Sequence, residues 1–171
     1  YMNSRAAKPG SPRYLGVLTH EFQHAIHWNL DPSEDTWIHE GMSEVAQDQA
    51  GYHARAINAF LQNTDTQLNY WATNLAGTAP HYGAANLFLS YMAQHAGGYG
   101  SLKDLVSEPA DGIDGVEAYL SSYGKTFLGV FKDWVVANYL DAPQGPYGYP
   151  DRHIRVRDVA FVFTYSEREE T

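Results

Sequence analysis

The stretch from Ser11 to Trp28 constrains this chain more than any other part of it. Tyr14, Leu15, Leu18, Phe22, Ala25 and Ile26 recur at the period of an amphipathic helix. Ser11-Pro12, just before them, supplies an N-cap and a proline at the first helical position. The spacing predicts a helix over about residues 13–28. On such a helix His20 and His24, at i and i+4, stand one above the other on one face, where two imidazoles can reach a single ion.

The same reading, carried along the chain, predicts more helices. A turn at residues 29–34 contains Asp31-Pro32, and a second helix starts near Asp35 or Thr36 and stops before Gly51, which suits a left-handed C-terminal position. Further helices are expected at about 53–61, 82–96, 101–107 and 114–123, then from a Thr126 cap to about Leu140. Residues 62–67 and 142–151 read as loops. The apolar stripes at 14–26, 87–92 and 127–140 are expected to build the core. From His153 to Tyr165 charged and apolar residues alternate, which reads as one or two short strands. The expected fold class is mainly α, with a helical domain over 1–150 and a C-terminal β segment over 151–171.

Composition removes several functions. The chain has 171 residues and a formal charge of −9, so it lacks the clustered Lys and Arg that nucleic acid or an anionic membrane surface demands. No apolar run approaches membrane-spanning length. With no cysteine, a disulfide scaffold, a thiolate metal site and a cysteine nucleophile are excluded. Abundant Tyr and Gly beside scarce Lys fit an exported protein. The chain opens at Tyr1 without a signal peptide, as a part of a longer chain would.

His20-Glu21-Phe22-Gln23-His24 is the pattern H-E-x-x-H. Glu21, one position round from His20, can hydrogen-bond a zinc-bound water and take its proton as general base. A surface helix carrying two histidines by chance is the plainer alternative, and a third ligand distinguishes the two. A metzincin would place a histidine at position 30 and a glycine at 27, where this chain has Leu30 and His27. The segment Trp37-Ile38-His39-Glu40-Gly41-Met42-Ser43-Glu44 instead offers a carboxylate on the next helix, and a turn at Asp31-Pro32 would bring Glu40 back towards His24.

Together, H-E-x-x-H and W-I-x-E-G-x-S-E resemble the gluzincin zinc peptidases. Within that group the segments resemble the bacterial peptidase MA-like and hyicolysin-type neutral zinc metallopeptidase domains. The resemblance implies a zinc ion held by His20, His24 and Glu40, with Glu44 accepting a hydrogen bond from a ligand histidine. His39 stands where such proteins usually carry Asn. The segment from Pro80 to Tyr91 is similar to a second motif of the group, which implies Tyr82 as donor to the oxyanion, with His81 as an alternative. Residues 131–140 are similar to its C-terminal helix. A peptide or protein substrate and an extracellular or cell-surface location in a bacterium follow from the same resemblance.

Other residues carry less. His27 lies off the ligand row and is expected to pack or to face solvent rather than bind metal, and His53, His95 and His153 have no paired spacing. Asp31, Glu34 and Asp35 lack the pattern of a calcium loop. A second Glu-x-x-His, which a di-iron bundle needs, is missing. A non-catalytic zinc-binding surface or scaffold module is the alternative to a peptidase, and the intact Glu21 argues against it. Gluzincins also bind substrate along a sheet upstream of the active helix, and no strand is expected before residue 13, so that sheet is expected to be absent from this chain.

Overall fold

Two antiparallel helices, α1 (Pro12–Leu30) and α2 (Thr36–Gln49), carry all the residues singled out above as metal ligands. The computed structural model describes residues 7–53, 56–74 and 77–155. The Ser11 hydroxyl caps α1 by accepting a bond from Tyr14 N–H at 3.2 Å, and Asp31 closes its far end. Going up α1 meets α2 in reverse order. Gly16 lies against Gln47 and Tyr52, His20 against Glu44 and Glu40, His24 against Glu40, and His27 against His39.

The short α3 (Ile57–Leu61) and the long α4 (Ala79–His95) follow. Every residue of α4 from Gly83 to Ala93 is buried, since α2, α3 and α7 all pack around it. A helix apolar on all sides belongs at such a centre. Two close approaches fix its neighbours. A Cβ on Gly41 would lie 2.7 Å from Leu89 Cδ1 and 2.9 Å from Ala85 Cβ, so glycine lets α2 lie close against α4 directly after Glu40. A Cβ on Gly83 would lie 2.3 Å from the Ala56 carbonyl oxygen.

A 3-10 turn at Tyr99–Ser101 leads into α5 (Leu102–Val106), then α6 (Gly112–Ser121) and α7 (Phe127–Leu140). Thr126 Oγ caps α7 by accepting from Gly129 N–H at 3.2 Å. Trp134 of α7 stacks on Phe60 at 5.6 Å and meets Phe88 edge-on at 5.5 Å, joining α3, α4 and α7 in one aromatic cluster. Arg152 ties the segment after α7 to the body through Asp48 (3.1 Å) and Asn86 (3.4 Å), with Tyr149 and Ile154 buried beside it.

The protein is thus mainly helical, and no strand occurs among the described residues. Residues 153–155 are irregular rather than extended in a ladder, and the remainder of the expected C-terminal strands, 156–171, lies outside the described residues. The helix expected at 53–61 is confined to Ile57–Leu61, with 54 and 55 outside the description. Helix α4 starts at Ala79 rather than 82, because Pro80 fits its first turn instead of breaking it.

The apolar stripe of α1 is the main departure from expectation. Leu18, Phe22 and Ile26 are 46%, 64% and 39% exposed, and α1 buries only Gly16 and His27. The helix packs on α2 through its histidine row, because Glu40 and Glu44 engage that row. Periodicity reveals that a stripe exists without saying which face has a neighbour. No described helix is long and apolar enough to cross a membrane.

Candidate metal centre

The α1–α2 pairing brings three ligand-type atoms to one point. His20 Nε2 is 3.1 Å from Glu40 Oε2, His24 Nε2 is 3.3 Å from the same oxygen, and the two Nε2 atoms are 3.1 Å apart. Tetrahedral ligand atoms about 2.05 Å from a zinc ion would be separated by about 3.3 Å, so the donors fit the ion nearly as they stand. Two imidazoles with one carboxylate suit zinc rather than calcium or magnesium, which prefer all-oxygen shells. Three protein donors also leave a fourth position open, as catalytic zinc sites do.

Glu44, one turn after Glu40, lies on the other side of His20, its Oε1 3.3 Å from Nδ1. A carboxylate there accepts the Nδ1–H and leaves the Nε2 lone pair facing the cluster. Burial works against a charge on His20, yet the hydrogen bonds to Glu40 and Glu44 overcome it and raise its pKa to about 9. Burial likewise disfavours an ionised Glu40, but hydrogen bonds from His20 and His24 hold it down at about 2. Without a metal, the cluster therefore retains a proton shared between carboxylates. A cation taking up Nε2 of His20 at neutral pH would displace that proton.

Tyr82, in the first turns of α4, has its ring 6.2 Å from His20. Burial pushes its hydroxyl well above the usual tyrosine range, and the charge of Glu40 and a hydrogen bond to it push the same way. The hydroxyl stays protonated at neutral pH and can only donate to an anionic neighbour. Glu21 is exposed beside this group; no hydrogen bond ties it to the three ligand residues, though its charge reaches Tyr82. His81 turns away instead. It is 8% exposed, with Nδ1 3.3 Å from the Gln67 carbonyl oxygen.

Sequence reasoning missed the surroundings of this cluster. His27 is fully buried against His39, ring centroids 4.3 Å apart, and neither ring has a hydrogen-bond partner among the described residues. Burial, aided by His39, lowers the His27 pKa to about 4, and burial lowers that of His39 too. The pair is a neutral packing contact that supports α1 on α2. Its signal in the sequence was spacing: His27 falls seven residues, close to two turns, after His20, and so continues the histidine row instead of lying off it. Trp71, which packs edge-on against Tyr82 at 4.8 Å, comes from a loop with no periodicity to betray it. A cavity of about 290 Å³ between residues 64–69 and α7 includes none of the ligand residues in its lining and is remote from this chemistry in composition.

No protein-family model matches the chain, and no curated protein matches it.

Proposed function

We propose that the protein is a zinc-dependent peptidase of the gluzincin type, with His20, His24 and Glu40 holding the ion. The observation that carries the reading is the convergence of two Nε2 atoms and one carboxylate oxygen at 3.1–3.3 Å, with Glu21 next in sequence to one of the imidazoles. Bound there, zinc supplies Lewis acidity and brings the pKa of a water towards about 7.

The chain's own residues complete the chemistry. Glu21 takes a proton from the attacking water on its carboxylate and returns it to the departing amine nitrogen. Glu44 holds the Nδ1–H of His20, so that Nε2 remains a ligand. The Tyr82 hydroxyl donates a hydrogen bond towards the oxygen of the scissile carbonyl as charge develops on it. His27 and His39 keep the two helices in register from behind.

Glu21→Gln tests the assignment of roles, because it removes the base and preserves size. Zinc content should stay at the parent level while peptide hydrolysis falls by about two orders of magnitude or more. Hydrolysis at the parent rate would remove Glu21 from the mechanism. A second reading, a non-catalytic zinc-binding module, draws on one observation: no strand borders the cluster among the described residues, so an extended peptide finds no sheet edge there. A parent protein that holds zinc and cleaves nothing in a mixed peptide library would favour that module.

A further inference from the structure

The cavity of about 290 Å³ between α7 and residues 64–69 is lined by aromatic rings. Phe60 of α3 stacks on Trp134 of α7 at 11°, and Phe127 and Phe131, both half-buried on α7, stack at 23°. The facing loop is held as firmly. Leu68 is buried, and the Gln67 carbonyl oxygen lies 3.3 Å from His81 Nδ1 in the first turn of α4. Both walls are therefore fixed by the fold itself, which spares a ligand the cost of ordering them.

Asn138 is the one buried amide in the lining, 7% exposed. Its Oδ1 accepts a hydrogen bond from the Tyr149 hydroxyl, and Tyr149 does not line the cavity, so the oxygen end of the amide is committed elsewhere. The Nδ2 end has no hydrogen-bond partner among the described residues. The cavity thus combines ring surface with a buried donor, and no lining residue is charged. Cations are drawn to ring faces. Here, however, neighbouring rings partly cover one another's faces, the buried polar group is a donor, and no carboxylate in the lining offsets a cation's lost hydration. An anion would exchange its hydration for a single neutral donor. Since an apolar cavity of about 150 Å³ takes one benzene, about 290 Å³ suits one or two fused rings.

We propose that this cavity is a binding site for a small, neutral aromatic molecule of one or two rings that carries a hydrogen-bond acceptor such as a carbonyl oxygen. Its rings replace water along Phe60, Phe131 and Trp134, and its acceptor replaces water at Asn138 Nδ2. None of the candidate metal ligands lines the cavity, and the site is expected to fill with or without zinc.

Three molecules with one skeleton test this: 1-indanone, which has the acceptor, indane, which lacks it, and 1-aminoindane, which is an ammonium ion at neutral pH. Each would be titrated into the nitrogen-15-labelled chain without added zinc, and the backbone amides and the Asn138 side-chain NH2 followed by NMR. 1-Indanone should shift signals at residues 64–69 and 127–138, the Asn138 NH2 among them, with a Kd on the order of 1 mM or tighter. Indane should bind at the same place several-fold more weakly, one neutral hydrogen bond being worth up to about tenfold, and 1-aminoindane more weakly again. Val135→Trp, at a 49% exposed position in the lining, should block all three. Asn138→Asp keeps an oxygen for Tyr149 and removes the donor, so the ketone should lose its advantage over the hydrocarbon. Should that variant fail to fold, the parent series and Val135→Trp decide the question by themselves. The site as proposed is overturned if 1-indanone leaves the cavity signals unmoved or still shifts them in Val135→Trp. It is equally overturned if indane or the ammonium ion binds as tightly as the ketone.

Discussion

Helices α1 and α4 are similar in length, 19 and 17 residues, and place their apolar side chains in opposite surroundings. In α4 an unbroken run from Gly83 to Ala93 is buried. In α1 the apolar row Leu18, Phe22, Ile26 faces solvent, and the polar row His20, His24, His27 faces the protein. The first helix is held by the contacts of its histidine row with Glu40 and Glu44, and the second by how much surface it removes from water. A helix can therefore sit against its neighbour through a polar row, here the candidate metal ligands, and leave an apolar face without a neighbour among the described residues.

The largest effect expected from this contrast is in the core. Phe88→Ala on α4 should destabilise the protein by about 3–5 kcal/mol in urea unfolding, whereas Phe22→Ala on α1 should change it by no more than about 0.5 kcal/mol. Equal costs at the two positions would show that the α1 face is covered in solution, and the contrast would fail.

A smaller effect sharpens the comparison from the polar side of α1. His27 titrates at about 4 in the folded protein against an ordinary 6.5, because burial disfavours its charge. Between those values the unfolded chain binds a proton that the folded one refuses, so stability falls as pH drops from 6.5 to 4. Denaturant titrations with a chelator present should find this loss reduced in His27→Leu by on the order of 2 kcal/mol at pH 4. A parent and variant with parallel pH profiles would mean that His27 is solvated rather than packed against His39.

The candidate ligand cluster was legible in the sequence. The i, i+4 histidines and the carboxylate sixteen residues beyond His24 need only helix geometry and a tight turn, and both follow from Ser11-Pro12 and Asp31-Pro32. The caps at Ser11 and Thr126 were equally plain, since each is a local hydrogen bond from side chain to backbone. What resisted reading was tertiary. The α1 sequence contains an apolar row and a histidine row at the same period, and which one meets a neighbour depends on α2. Trp71 and Tyr70 sit in a loop tied to α4 through His81, ten residues beyond Trp71, a separation that no local rule spans. Pro80 was ambiguous for a different reason: proline both ends a helix and starts one, and α4 uses it to start.

The proposed zinc site has His20, His24 and Glu40 together holding one ion. It is tested most directly by metal analysis of the purified protein after loading with excess zinc and desalting, in the parent and in three variants. One zinc per chain is expected in the parent, the same in His27→Leu, and a substantial loss in both His24→Ala and Glu40→Ala. Full zinc occupancy in Glu40→Ala would contradict the account, because the carboxylate 3.1 Å from His20 and 3.3 Å from His24 would then be a neighbour of the ion's site and not one of its ligands.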